Sequence, residues 1–247
     1  MKLQGKKAII TGGGRRVGAA LVRTFAARGA HVVIHCRNSE NEARSLLEEI
    51  GGEKAGHQLW VCDLTDREKL DADAPSVFAD ASLLINNASI YIRGRIAGET
   101  PDGMAAQFAV NFSAPVLLMQ YLAKYGTRPG CIINLLDQGI CRPDENSFSY
   151  ALSKKALADA TRAAALQLAP EIRVNGLAPG PVLPPVDMPH SRMEKTLRSV
   201  PLRRPVDLQD LCGGAVFLAE NESMTGSVLF IDCGQSLCQN EAPPVPV

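Results

Sequence analysis

The 247-residue sequence has no excess charge of either sign, because 26 Lys and Arg residues balance 26 Asp and Glu residues. A neutral chain lacks the basic footprint of nucleic-acid binding or of a polybasic membrane anchor. No apolar run reaches the roughly 20 residues that a spanning helix needs, and the first residues lack a signal-peptide core and cleavage site. We therefore expect a cytoplasmic protein that binds neither nucleic acid nor membrane.

The sequence also lacks paired cysteines. Its seven cysteines are odd in number, none is spaced C-x-x-C, and most lie in apolar runs. This pattern favours buried free thiols over the alternative of a metal or redox site. A chain of this length buries enough surface to fold without metal or disulfide staples, and we predict no metal.

Short β-rich runs alternate with helical patterns along the chain. Most runs are continuously apolar, as in strands covered on both faces, and such alternation implies right-handed βαβ units around a parallel sheet. We predict one α/β domain over residues 1–247, doubly wound, with a flexible tail at 238–247 and a proline-rich substrate-side flap at 179–189. The predicted strands are Lys7–Thr11, His31–Cys36, Gln58–Cys62, Ser82–Asn86, Cys131–Leu136, Arg173–Leu177 and Val228–Asp232. The predicted helices lie near 16–29, 40–50, 102–124, 149–169 and 207–220.

A glycine cluster separates the first predicted strand from the first predicted helix. Residues 11–18 read TGGGRRVG. Glycines at a strand-to-helix turn let the backbone approach a pyrophosphate, which then lies at the helix N-terminus. The alternative is an ordinary tight turn. The context favours a dinucleotide site, and its predicted members in this segment are Gly12, Arg15, Arg16, Val17 and Gly18.

The residues that follow the second and third strands indicate which dinucleotide is bound. NAD sites carry an acidic residue about 20 residues beyond the glycine motif, but Arg37, Asn38 and Ser39 stand there instead. A guanidinium with two small polar groups suits a 2′-phosphate, so NADP(H) is the predicted cofactor; the alternative is that Arg37 is a solvated charge. After the third strand come Asp63 and Leu64, and Asp63 either accepts a hydrogen bond from the adenine amino group or caps the next helix.

Tyr150 and Lys154 lie four residues apart in a predicted helix, so their side chains share one face. A free phenol has a pKa of about 10, and a neighbouring ammonium favours the phenolate and lowers that pKa. Such a pair can act as a general acid in reduction by hydride transfer. The Y-x-x-x-K pattern by itself also occurs in ordinary amphipathic helices, so its meaning depends on the other motifs.

Together the motifs resemble those of the short-chain dehydrogenase/reductase family over roughly residues 5–236. The resemblance implies a Rossmann-type sheet of seven strands, a nicotinamide ribose held by Lys154, and a proton relay in which Asn111 positions a water. It also implies a homotetramer in which the helices at 102–124 and 149–169 pair across a two-fold axis. The residues that carry it, in family order and spacing, are the glycine turn, Asp63, Asn86, Asn87, Ala88, Asn111, Tyr150, Lys154, Pro179 and Gly180.

Two departures from the usual family pattern resemble its pteridine reductase branch. Arg16 stands where the family usually has glycine, and Asp137 stands where it usually has serine, 13 residues before Tyr150. The branch has the pattern T-G-x-x-x-R-x-G and an aspartate in that place. The resemblance implies that Arg16 lies between the cofactor phosphates and the substrate. It also implies that Asp137 hydrogen-bonds Tyr150 and helps it to deliver a proton.

Further residues are similar to the same branch, namely Ser89, Tyr91 and residues 186–189. The resemblance implies that Ser89 contacts the cofactor or the pterin. It implies that Tyr91 stacks on the pterin ring, with the nicotinamide opposite. The predicted substrate contacts are therefore Arg16, Ser89, Tyr91, Asp137 and Tyr150.

Three functions remain open. The first is reduction of a small-molecule pterin, such as a dihydropterin or dihydrofolate. The second is reduction of 3-oxoacyl or sugar-like ketones, against which Asp137 argues. The third is a non-catalytic NADP(H)-binding sensor, against which the complete set of Tyr150, Lys154 and Asn111 argues. Two residues keep their own alternatives, because Asp137 would also fit a degenerate site and Tyr91 would also fit an ordinary half-exposed aromatic.

Overall fold

The structure, a computed structural model, describes residues 1–184 and 190–238. All seven predicted strands are present, and each begins and ends within two residues of its predicted bounds. The strands are β1 (Lys7–Ile10), β2 (His31–Cys36), β3 (Gln58–Val61), β4 (Ala81–Asn86), β5 (Gly130–Leu135), β6 (Ile172–Pro179) and β7 (Val228–Ile231).

The strands form one parallel sheet in the order β3-β2-β1-β4-β5-β6-β7. The chain therefore builds outward from β1 to β3, returns to β4 beside β1, and builds outward again to β7. In open α/β sheets, ligands bind outside the carboxyl ends of the strands where the strand order reverses in this way. The glycine turn follows β1, and Asn87 follows β4, so both predicted cofactor segments flank this switch point.

Helices cover both faces of the sheet, as predicted, because successive strand residues point to opposite faces. In β1, Ala8 and Ile10 pack in one apolar core, while Ile9 packs in the other. The first core includes residues of α1, α2 and α8, and the second includes residues of α3, α5 and α6. The helices are α1 (Arg16–Ala27), α2 (Glu40–Glu49), α3 (Arg67–Val77), α4 (Pro101–Phe108), α5 (Ala114–Tyr125), α6 (Phe148–Leu168), α7 (His190–Ser199) and α8 (Leu208–Glu220).

The helices differ from the sequence predictions in two ways. The predicted helix at 102–124 is two helices, α4 and α5, joined by a π-helical turn at Ala109–Ser113. The helices α3 and α7 were not predicted from the sequence. In α3 only Leu70 and Ala74 are buried, so its apolar pattern is weak. Of the predicted flap, residues 185–189 lie outside the described residues, and so does most of the tail at 238–247. No helix in the described part of the chain is long and apolar enough to cross a bilayer.

Candidate active site

A cleft of about 370 Å³ opens at the carboxyl ends of the first four strands. Thirteen of the predicted site residues line it. They are Gly12, Arg15, Arg16, Val17, Gly18, Arg37, Asn38, Ser39, Asp63, Leu64, Asn87, Ala88 and Ser89. The lining also includes His35, Cys36, Ile90 and Val110, which the sequence analysis did not identify.

The glycine turn has no room for side chains at two of its positions. Gly12 has a φ of +62°, and a Cβ there would lie 3.0 Å from the Cα of Ala88. At Gly18, a Cβ would lie 2.0 Å from the carbonyl oxygen of Gly12. Glycine thus lets the start of α1 approach the turn closely. No side chain among the described residues caps α1, so its first N–H groups remain available to a ligand, and the turn fits a pyrophosphate.

Arg37 and Asp63 face each other on the cleft, with Arg37 Nη1 3.5 Å from Asp63 Oδ2. Burial tends to raise the pKa of Asp63, but hydrogen bonds from Thr65 and the charge of Arg37 outweigh it and lower that pKa. The helix-cap alternative for Asp63 is wrong, because Asp66 caps α3 by accepting from the N–H of Lys69. Its predicted contact with adenine stays a prediction.

Tyr150, Lys154 and Asp137 come together at the end of β5. The Tyr150 hydroxyl donates to Asp137 Oδ2 at 3.1 Å. The Lys154 ammonium lies 6.0 Å from the centre of the Tyr150 ring and donates to the carbonyl oxygen of Leu135 at 2.8 Å. Asp137 also accepts from the N–H of Gly139 at 2.7 Å, which fixes the carboxylate at the start of a short 3₁₀ turn.

The pKa values of Tyr150, Asp137 and Lys154 differ from what the Tyr150–Lys154 pair alone predicts. Burial, and then the neighbouring Asp137, raise the pKa of Tyr150 well above its ordinary value, so the expected lowering by Lys154 is not what the site shows. Burial also raises the pKa of Asp137, and it lowers the pKa of Lys154 to about 8 against the opposing charge of Asp137. At neutral pH the phenol therefore keeps its proton, which suits a proton donor.

Asn111 lies in the π-helical turn and is fully buried. Its Oδ1 accepts from Ser89 Oγ and from the N–H of Ile90, both at 2.9 Å, and its Nδ2 donates to the Ile90 carbonyl at 2.9 Å. It also donates to Ser153 Oγ, one turn along α6 from Tyr150, at 3.2 Å. Asn111 thus ties the segment after β4 to the helix that carries the tyrosine. The relay water implied by the family resemblance remains a prediction.

Tyr91 is half exposed and meets Tyr150 edge to face, with ring centres 4.7 Å apart. The adjacent Ile92 donates its N–H to Oε1 of Gln107 at 3.0 Å, and Gln107 is fully buried in α4. Gln107 and Asn111 therefore hold the backbone on both sides of Tyr91. Sequence reasoning missed Gln107, because a glutamine in a short helix carries no local sign of burial.

Arg16 and Gly180 are the remaining predicted site residues whose local geometry is informative. Arg16 has a φ of +54°, in the left-handed region that favours glycine, and its Nη2 donates to the Pro184 carbonyl at 2.8 Å. Pro179 ends β6 and Gly180 follows it, but neither lines the cleft. Instead Gly180 packs against Asp232, since a Cβ there would lie 2.7 Å from the Asp232 Cα.

A parallel sheet with a glycine turn at its switch point, beside a tyrosine-lysine pair, defines a dinucleotide-dependent oxidoreductase. A family model described as "Enoyl-(Acyl carrier protein) reductase" matches residues 14–236. Full-length relatives are also at least 30% identical to this chain. The chain belongs to the short-chain dehydrogenase/reductase family.

Three relatives illustrate the range of the match. The chain is 33% identical to 2,5-dichloro-2,5-cyclohexadiene-1,4-diol dehydrogenase LinX of Sphingobium indicum, covering 96% of this chain and 98% of the relative. It is 31% identical to L-xylulose reductase of Cavia porcellus, covering 94% and 97%. Among solved structures, FolM alternative dihydrofolate reductase 1 of Brucella canis, complexed with NADP, is similar with a TM-score of 0.90, 31% identity and 99% coverage of both chains.

Proposed function

We propose that this protein is an NADPH-dependent reductase of pterins, such as a dihydropterin or dihydrofolate. The observation that carries the proposal is the hydrogen bond between Tyr150 and Asp137 at the carboxyl end of β5. A serine hydroxyl, the usual group at position 137 in the family, suits a carbonyl oxygen. A carboxyl group can both donate and accept, which suits the ring nitrogens of a pterin.

NADP(H) is proposed as the cofactor because the residues of the cleft fit it. Glycine at positions 12 and 18 lets the turn, the start of α1 and the segment after β4 pack closely together, where a side chain would clash, and the first N–H groups of α1 have no side-chain cap. The Arg37 guanidinium is 48% exposed on the cleft, so it is accessible to a 2′-phosphate. The likeness to the NADP complex of the Brucella reductase supports the same cofactor.

The proposed mechanism assigns each catalytic side chain one task. NADPH, when bound, supplies the hydride that reduces the pterin C=N carbon. Tyr150 gives its proton to the ring nitrogen, since its raised pKa keeps it protonated at neutral pH. Asp137 holds the Tyr150 hydroxyl and passes on a proton from water. The Lys154 ammonium, 6.0 Å from the centre of the Tyr150 ring, does not lower the pKa of the resting phenol, and its proposed task is to stabilise the phenolate that forms during the transfer. Tyr91 provides an exposed ring beside this group, on which a flat heterocycle can stack.

A ketone reductase is the second candidate, favoured by the likeness to L-xylulose reductase. The two candidates share Tyr150, Lys154 and Asn111 and differ in what Asp137 contacts. NADPH oxidation, measured with dihydrobiopterin, dihydrofolate and a panel of 3-oxoacyl and sugar ketones, separates them. Turnover of pterins supports the proposal, and brisk turnover of ketones alone contradicts it.

We also propose that the protein is a cytoplasmic homotetramer. Apolar side chains are exposed on the helices α4, α5 and α6, namely Met104, Val116, Leu152 and Leu166, and Leu166 is 83% exposed. Exposed apolar groups on adjacent helices are typical of a surface that associates. Light scattering at micromolar concentration tests the assembly, and a monomer mass contradicts it.

A further inference from the structure

A buried histidine joins three loops at the carboxyl edge of the sheet. His35 is 2% exposed and lies next to the end of β2. Its Nδ1 accepts from the N–H of Gly12 at 3.1 Å, and its Nε2 lies 3.0 Å from the carbonyl oxygen of Cys62. Gly12 belongs to the turn after β1, and Cys62 follows β3 and precedes Asp63. One imidazole ring thus connects the ends of β1, β2 and β3, all of which contribute to the cleft.

The two partners of the ring define its protonation state. A peptide N–H can only donate and a carbonyl oxygen can only accept, so Nδ1 carries no hydrogen and Nε2 carries one. His35 is therefore the neutral Nε2–H tautomer. Burial agrees with this assignment, because it lowers the pKa of His35 to about 4. A proton on Nδ1 would point at the N–H of Gly12 and break that bond.

The glycine turn is held by His35 at two successive N–H groups. The ring accepts from Gly12, and the backbone carbonyl of His35 accepts from the N–H of Gly13 at 2.8 Å. On the other side, Asn87 Nδ2 donates to the carbonyls of Thr11 and Gly12 at 2.8 and 3.2 Å. Since the N–H groups of Gly12 and Gly13 already have partners, a pyrophosphate on this turn would bind to N–H groups further along it, toward the start of α1, which has no side-chain cap.

We propose that His35 is a positioning residue for the cofactor. Its neutral ring fixes the separation between the glycine turn and the Arg37–Asp63 side of the cleft, so that the cleft is formed before a dinucleotide binds. Preorganisation of this kind increases affinity by reducing the entropy that is lost on binding. The inference rests on the proposed NADP(H) site. It adds His35 as a residue that would act through its contacts with Gly12 and Cys62.

The chain contains a matched control for this histidine. His57 is 4% exposed, and its Nδ1 accepts from the N–H of Val32 at 3.0 Å. It precedes β3 and contacts the start of β2, at the edge of the sheet opposite the cleft. Replacing His57 removes a similar buried hydrogen bond without touching the cofactor turn. A general loss of stability should therefore affect His35 and His57 variants alike.

The test compares NADPH dissociation constants and unfolding free energies for His35→Phe, His57→Phe and His35→Asn. We expect His35→Phe to raise the dissociation constant about tenfold or more, while His57→Phe loses similar stability with less than a twofold change in affinity. The amide oxygen of His35→Asn can still accept from Gly12, so this variant should recover part of the affinity. Equal changes in affinity for the two Phe variants would overturn the inference. Failure of the wild-type protein to bind NADPH would overturn the proposed cofactor, and with it the role of His35.

A measurement on the unaltered protein covers the case in which His35→Phe does not fold. The ¹⁵N shifts of the imidazole rings report tautomer and charge directly. We expect His35 to remain a neutral Nε2–H ring at neutral pH and its shifts, unlike those of His57, to change when NADPH is added. A His35 ring that titrates near its ordinary pKa of about 6.5, or that carries its hydrogen on Nδ1, would show that it does not hold Gly12.

Discussion

The hydroxyl of Tyr150 donates a 3.1 Å hydrogen bond to Asp137, and the two residues come from different elements, the helix α6 and the segment after β5. Their contact brings a phenol and a carboxyl group to one point at the carboxyl edge of the sheet. Burial raises the pKa of both groups. The pair therefore retains protons more strongly than either group would in water, so the phenol still carries its proton at neutral pH.

Removing the Tyr150 hydroxyl should stop turnover without preventing cofactor binding. Tyr150→Phe keeps the ring that packs against Tyr91 but loses the donated proton, so we expect a loss of at least 100-fold in kcat with NADPH affinity within about threefold of wild type. Steady-state kinetics and fluorescence titration measure the two quantities. Tyr91→Phe is the control, since it removes a neighbouring hydroxyl but keeps an aromatic surface, and it should retain most activity. Substantial turnover by Tyr150→Phe would contradict the proton-donor assignment.

Arg37 should account for a preference for NADPH over NADH. A hydrogen bond to a charged group contributes about 1.5–3 kcal/mol, so Arg37→Ala should weaken NADPH binding tenfold or more and leave NADH binding nearly unchanged. Arg44→Ala is a suitable control, because Arg44 pairs with Glu40 on α2 and does not line the cleft. Binding titrations with both cofactors decide the matter. A wild-type protein with equal affinity for the two cofactors would contradict the prediction.

The strands and most of the residues that line the cleft could be predicted from sequence because their determinants are local. Continuous apolar runs indicate strands buried on both faces, and the glycine turn lies between its strand and helix in the sequence itself. The missed residues have distant partners instead. His35 bonds Gly12 and Cys62, and Gln107 bonds Ile92. A buried polar side chain whose partners are remote backbone groups leaves no periodic pattern, and only the fold brings them together.

The pH dependence should reflect Lys154. Burial lowers its pKa to about 8, and because an amine is charged below its pKa, the ammonium is present at neutral pH and is lost as the pH rises through about 8. We expect kcat/KM for NADPH, which reports the free enzyme, to fall above that pH. Lys154→Arg keeps the charge at high pH, and whatever activity it has should not decline in that range. A wild-type profile that stays flat to about pH 10, the ordinary lysine range, would contradict the role of the ammonium.

Replacing Arg16 by glycine should leave the protein at least as stable but weaken its activity. Its φ of +54° costs a non-glycine residue about 1 kcal/mol, so Arg16→Gly should not lower the free energy of unfolding and should raise it by up to that amount. The same change removes the bond to the Pro184 carbonyl and should raise KM for the substrate. Arg15→Gly is the control, because Arg15 is extended, with a φ of −144°, and its replacement should be neutral or destabilising. Denaturant unfolding and substrate kinetics give the two readouts.

Asp137 should decide between pterin and ketone reduction. Asp137→Ser restores the usual family residue and removes a carboxyl group that bonds Tyr150. Pterin reduction adds a proton to nitrogen, and a carboxyl group that relays this proton contributes roughly 10²- to 10⁴-fold in rate. We therefore expect Asp137→Ser to depress pterin turnover strongly. NADPH affinity should stay near normal, since Asp137 does not line the 370 Å³ cleft.

A second variant separates the proton-relay role of Asp137 from its contribution to the geometry of Tyr150. In Asp137→Asn, an amide oxygen in place of Oδ1 can still accept from the N–H of Gly139, and the amide NH₂ in place of Oδ2 can donate to the Tyr150 oxygen. The contact with Tyr150 is kept in this form, but an amide cannot relay a proton as a carboxyl group does. If relay is the role, Asn should be nearly as inactive as Ser on dihydrobiopterin, with an unchanged KM. If Asp137 only orients Tyr150, Asn should be nearly as active as wild type. Unchanged pterin turnover in Asp137→Ser, together with activity on ketones, would assign the protein to the ketone reductases, because the carboxyl group would then have no part in the chemistry.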